Sequence, residues 1–170
     1  MARAKKTVQK PRRRFGLWIG LALAAAIIGF LVWMHLCARV VHVRYAEVHL
    51  DDLPASFEGT TLLYVSDVDA CGLNTPRQAA RTIQRLQALE PDVLLLGGDY
   101  ASADLLDRLN GRTSAEEFAA RGSFFAGLAG FSAPLGKLGI SGDGDGDASQ
   151  LALQMSASGV QLIDGGAQIL

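Results

Sequence analysis

Histidine is confined to the start of this chain: His35, His42 and His49 are the whole supply, and the sequence from Leu50 to Leu170 contains none. Any chemistry in that stretch proceeds without imidazole, the side chain that titrates nearest neutrality. Cysteine is scarce as well, and Cys37 and Cys71 stand in unlike settings, so no disulfide is expected. Basic residues run out early. Residues 1–14 hold seven of the sixteen Lys and Arg and no acid, which leaves nine basic against seventeen acidic residues from Phe15 onward, a balance of −8. Tracking a phosphate backbone requires clustered Lys and Arg, so nucleic acid is excluded as a partner. Charged residues make up only 19% of the 170 positions and hydrophobic ones 49%, too apolar for a disordered chain and long enough for one ordinary domain.

What is present begins with an uncharged run, Phe15–Cys37, of 23 residues. At ~1.5 Å per residue it spans ~34 Å as a helix, enough for a bilayer core of ~30 Å. Trp18 and Trp33 lie near its two ends, where indoles prefer the headgroup region. A cleaved signal peptide has a shorter apolar region and a small-residue cleavage site, and neither feature is seen. The chain therefore reads as a signal-anchored, single-pass cell-membrane protein. Its basic tail (1–14) is held in the cytoplasm, residues 15–37 cross the lipid bilayer, and residues 38–170 form a domain on the extracytoplasmic side.

Residues 39–50 alternate apolar and polar side chains and suggest an extended strand, broken at Asp51-Asp52-Leu53-Pro54. Short apolar runs then alternate with helical stretches. Strands are expected at 61–67, 92–99, 137–141 and 160–164, with helices at 76–90, within 102–127 and near 149–158. This order predicts an α/β fold with a mostly parallel sheet. Thr75-Pro76-Arg77-Gln78 has the pattern of a capping box, and Ser114-Ala115-Glu116-Glu117 repeats it. Gly159 is placed to end the last helix, and residues 160–170 read as a strand, a Gly-Gly turn and the start of a returning strand.

Three of the strands finish in acid. The first runs into Asp67 and Asp69, the second into Asp99, and the third into Gly142-Asp143-Gly144-Asp145-Gly146-Asp147. Ligands of parallel sheets bind at the C-terminal strand ends, so these carboxylates are expected around one crevice. Asp67 and Asp69, two apart, converge if the backbone there is extended. Two carboxylates ~4 Å apart repel by ~4 kcal/mol at an effective dielectric of ~20, so such a cluster attracts a cation or retains a proton. Asp also collects in strand-to-helix loops because it caps helices and tolerates turns, which is the plainer explanation of each position taken singly. A calcium loop of EF-hand type is excluded, because Ala148 and Gln154 stand where it needs Gly and Glu.

At these residues the chain resembles the calcineurin-like metallophosphoesterases, particularly their membrane-anchored bacterial branch. There one strand ends S-D-x-H, a second ends G-D after P-D-x-x-x-x-x-G, and a third ends G-N-H-D. The corresponding segments are Ser66-Asp67-Val68-Asp69, the run from Pro91 to Asp99, and Gly142-Asp143-Gly144-Asp145. Leu53-Pro54-Ala55-Ser56-Phe57-Glu58-Gly59 resembles the family's approach to the first strand. The resemblance implies metal ligation by Asp67, Asp99 and Asp143, with Asp69 standing where a first-site His is expected. Gly144 occupies the place of the His that helps protonate the leaving group, so Asp145, which would orient that His, has nothing to orient. The family's later histidines, including a G-H-x-H motif, lie past Leu170.

A dinuclear hydrolase needs two metals about 3.5–4 Å apart and a proton for the departing oxygen. The resemblance thus implies a degenerate, incomplete member that supplies the first sheet and flanking helices of a two-sheet sandwich, without an intact dinuclear centre. The four aspartates would accept one divalent ion of the Mn, Mg or Ca kind, and no catalytic or cofactor-binding side chain is assigned. An uncovered sheet face implies a protein partner. The expected function is a catalytically inactive binding or assembly subunit. The alternatives are a residual metal-dependent phosphoesterase completed by a partner chain, and an anchored domain whose acidic loops only solvate its surface.

Overall fold

A computed structural model describes residues 12–37, 40–72, 74–101, 109, 111 and 113–163, with side chains from Phe15 onward. The chain divides into two compact units, Met1–Val48 and His49–Leu170. The first is dominated by helix α1, Arg12–Cys37. It contains the one candidate membrane span among the described residues, Phe15–Cys37, none of whose most apolar stretch is buried. Trp18 and Trp33 are both exposed on it.

The second unit is an α/β fold built on four parallel strands: β1 (Leu62–Val65), β2 (Val93–Leu96), β3 (Gly136–Gly139) and β4 (Val160–Leu162). They lie side by side in chain order. Between them run α2 (Pro76–Arg85), which tightens into a 3-10 turn at Leu86–Leu89, then α3 (Ser114–Leu128) and α4 (Ala148–Ser156). Crossovers of one hand that never reverse direction lay α2, α3 and α4 on the same side of the sheet. The core confirms this placement. Leu94, Leu96 and Val160 of the sheet pack with Ala79, Ala80 and Ile83 of α2, Phe124, Phe125 and Leu128 of α3, and Leu151 and Met155 of α4. Lys137 faces the same side, and its Nζ donates to the carbonyls of Ser158 (2.7 Å) and Leu128 (3.3 Å) where two helices end. Burial holds its amine below the usual lysine range.

None of α2, α3 and α4 lies on the opposite face. Leu62 and Tyr64 are 53% and 56% exposed, and Ile140 just beyond β3 is 40% exposed. Parallel sheets are ordinarily covered on both faces, so this is apolar surface of a kind usually buried.

Local signals in the sequence act as expected at most positions. Thr75 accepts from the Gln78 N–H while the Gln78 side chain returns to the Thr75 N–H, closing the box on α2. On α3 the box is one residue earlier than the Ser114 reading: Thr113 is the N-cap and Glu116 its partner. Thr113 has the extended backbone an N-cap requires, whereas Ser114 is already helical. Gly159, at φ 73°, makes the left-handed turn between α4 and β4. Cys37 and Cys71 are not joined in a disulfide.

The expected strand over 39–50 does not form in residues 40–50, which carry no ladder. Alternation prepares a segment for a sheet, but a strand exists only when a neighbour takes its hydrogen bonds. The returning strand read after residue 164, and the helix expected within 102–108, lie outside the described residues.

Candidate functional site

The aspartates expected at the strand ends occupy three adjacent loops at the C-terminal edge of the sheet. These loops are stitched by backbone: the Asp67 N–H donates to Gly98 O (3.3 Å), Asp69 N–H to Asp99 O (3.0 Å) and Ala70 N–H to Tyr100 O (2.8 Å). Asp67, Asp69 and Asp99 all sit at positive φ, 53°, 42° and 54°. Few L residues adopt that region, and Asp is among those that tolerate it best. Three such residues in touching loops constitute local strain of the sort that collects at sites and tight junctions. Their conformation also removes the reason for expecting Asp67 and Asp69 to converge, since the backbone at both is left-handed and not extended.

Glycine makes the contact between the second and third loops feasible. Gly98 has φ 94°, and a Cβ there would lie 2.6 Å from Gly142 N. A Cβ on Gly142 would in turn lie 2.6 Å from Asp99 N. Neither position has room for a side chain.

Asp145 fastens the junction. It is 1% exposed, and its Oδ1 accepts from Tyr100 N–H (2.8 Å) while Oδ2 accepts from Asp99 N–H (2.8 Å) and Gly142 N–H (2.9 Å). Its carbonyl accepts from the Nη1 of buried Arg121 on α3, whose Nε donates to Gln154 Oε1 (2.7 Å) on α4. Asp145 therefore does have something to hold: the backbone of two neighbouring loops. Tyr100 completes the junction from within. Its hydroxyl donates to Ile140 O (2.6 Å) and its ring lies 4.9 Å from that of Phe125. Burial first, and the Asp145 charge second, hold that hydroxyl well above the ordinary tyrosine range.

Asp99 is the exposed-side counterpart. Its Oδ1 accepts from Gly144 N–H (3.0 Å). That bond favours the carboxylate, but partial desolvation and repulsion from Asp143, Asp145 and Asp67 outweigh it, so the carboxyl is held above its ordinary value. The fold thus gathers Asp67, Asp143 and Asp145 into the electrostatic reach of Asp99, and brings Asp69 in through the backbone bond to Asp99 O.

As a donor set for a metal, these side chains offer only carboxylate oxygen. That suits a hard divalent ion and suits zinc or iron poorly. Asp145 is withdrawn from any such set because both its oxygens are engaged by backbone N–H groups. Among the described residues no three His, Cys, Asp or Glu side chains are grouped to hold one ion. The strand order also lacks the reversal that opens a crevice in doubly wound sheets. Two shallow clefts lie elsewhere, one between α2 and α3 and one along α4 and β4, and neither is lined by a strand-end aspartate.

Arg121 is the participant that sequence reasoning passed over. Its signal was available: positions 121, 124, 125 and 128 make one buried stripe at helical spacing, with an arginine in its first place. A charge on the core side of a helix is retained only where it has partners.

Comparison of the chain with family models, with curated proteins and with solved structures finds no match in any of the three.

Proposed function

We propose that this chain is a membrane-tethered α/β domain of metallophosphoesterase-like descent that acts as a non-catalytic binding or assembly subunit. The observation that carries this reading is the use made of Asp145. In the motif it resembles, that acid orients a histidine; in this chain it caps three backbone N–H groups at the loop junction. Gly144 and Asp69 stand at the two motif positions where imidazole would be needed. The sheet face turned away from α2, α3 and α4, with Leu62 and Tyr64 exposed, supports an assembly role, because a covering partner would bury apolar surface there. The basic tail ahead of Phe15–Cys37 supports a cytoplasmic N-terminus, with the α/β unit on the far side of the cell membrane.

One observation favours a second reading, a residual metal-dependent phosphoesterase completed by another chain. Asp99 is crowded by three carboxylates, and a Mn, Mg or Ca ion would relieve that repulsion. The two readings separate on the purified full-length protein. Bound metal is measured by elemental analysis, and phosphomonoester and phosphodiester hydrolysis is assayed with added Mn²⁺. The non-catalytic reading expects no turnover above the protein-free rate. Turnover that disappears in Asp99→Asn would overturn it in favour of the second.

A further inference from the structure

The body of the chain is acidic, yet α2 with its 3-10 extension holds Arg77, Arg81 and Arg85 and no acid. The spacing of four puts the three on one side of the helix, where like charges repel. Arg77 also lies in the first turn, at the positive end of the helix dipole. Among the described residues none of the three guanidinium groups bonds to a partner. Repulsion left uncompensated in a domain with acids to spare points to a partner from outside.

Arg77 and Arg81 open onto a cleft of about 480 Å³ between α2 and α3, lined also by Ala80, Gln84, Ser123 and Gly127. Small residues keep it open. A Cβ on Gly127 would stand 2.5 Å from that of Ala80, so the helices touch at the floor and no side chain fills the space above. Gln84 Nε2 is committed to Gly127 O (2.5 Å), which leaves two guanidinium forks and the Ser123 hydroxyl as the groups available to a ligand. The first-turn N–H of Gln78 is already capped by Thr75, so the recognition belongs to side chains.

We propose that this cleft binds a phosphate-bearing anion, with Arg77 and Arg81 as forked donors and Ser123 as a third. A pair of guanidinium groups with a hydroxyl suits the several oxygens of a phosphate dianion better than the two of one carboxylate. The site is independent of the strand-end aspartates and of their proposed role.

The test uses the full-length chain in phosphatidylcholine nanodiscs, titrated calorimetrically with sodium pyrophosphate. R77Q/R81Q is compared with R44Q/R85Q, which removes the same charge from outside the cleft. The expected result is a loss of about tenfold or more for R77Q/R81Q and less than about twofold for R44Q/R85Q. R81K keeps the charge but not the fork, and is expected to weaken binding by about threefold without disturbing the fold. A second arm measures co-flotation with phosphatidylcholine vesicles containing phosphatidic acid. A response to vesicles alone that R77Q/R81Q abolishes assigns the phosphate to a lipid headgroup; a response to pyrophosphate assigns it to a soluble ligand. Equal losses in both double variants, or no binding of either probe, would overturn the proposal.

Discussion

Replacing Asp145 by Asn tests what the acid at the end of the third strand is for. The carboxylate is buried and accepts three backbone N–H bonds, one on Oδ1 and two on Oδ2. An Asn of the same shape has one acceptor oxygen. Oriented to keep the two bonds from Asp99 and Gly142, it turns its NH₂ against the Tyr100 N–H, leaving a buried donor unsatisfied and two others without a charged acceptor. A lost bond to a charged group is worth about 1.5–3 kcal/mol, and a stranded buried donor about 1–3 kcal/mol. These overlap, so about 2–3 kcal/mol is expected for Asp145→Asn, and about 4–5 kcal/mol for Asp145→Ala, which loses all three bonds. For a unit of this size 1 kcal/mol lowers the midpoint by roughly 3–5 °C, so Asp145→Asn should melt about 6–15 °C early. The assay is thermal unfolding of the full chain in nanodiscs, followed in the near ultraviolet where packed Tyr100 contributes. Exposed Asp143, mutated to Asn, is the control and should not lower the midpoint, since it only relieves repulsion on Asp99. An Asp145→Asn midpoint equal to wild type would refute the stapling argument and return Asp145 to the pool of ligand candidates.

Other consequences follow from the same geometry. Asp99 has a carboxyl raised above its ordinary value, so its stabilising contribution is complete at pH below the usual carboxylate range and is lost as pH rises through the raised value. Compared with Asp99→Asn, wild type should lose stability across that interval, by a small amount that shrinks in high salt because the group is near the surface; a pH series of unfolding midpoints measures it. Gly98→Ala forces a Cβ to 2.6 Å from Gly142 N at φ 94° and should cost about 2–4 kcal/mol in denaturant unfolding. Leu94→Ala empties a fully buried position between sheet and helices, for about 2–5 kcal/mol in the same assay. Thr75→Ala removes the side-chain acceptor of the α2 cap and should cost about 0.5–2 kcal/mol.

Much of the fold was legible because its signals are local. The apolar runs at 62–65 and 93–96 are too short for helices, the first flanked by Thr61 and Ser66 and the second by Asp92 and Gly97, and both are strands. Thr75-Pro76 sets the start of α2 through one side chain and one fixed dihedral. The error at Ser114 shows the limit: Thr113 and Ser114 both carry the capping hydroxyl, and only backbone conformation selects between them. Residues 40–50 show a different limit, since their alternation is real but a strand needs a neighbour that pattern alone does not supply. At the candidate site, the clustering of Asp67, Asp99 and Asp143 was readable from strand ends. The separate duty of Asp145 was not, because two of its three N–H partners lie some 45 residues away in sequence.

What the sequence determined by itself is set by composition and short range: an uncharged run long enough to cross a membrane, an acidic body without histidine beyond residue 49, and the alternation of strand and helix. Tertiary structure alone decided which face of the sheet is covered and what each aspartate does. Covering follows from the order in which strands pair, and all three crossovers go the same way. The role of an acid follows from what stands around it. Asp145, enclosed by N–H donors, became a structural clasp, while the side chain of Asp99, whose N–H it holds, was left among carboxylates that raise its proton affinity.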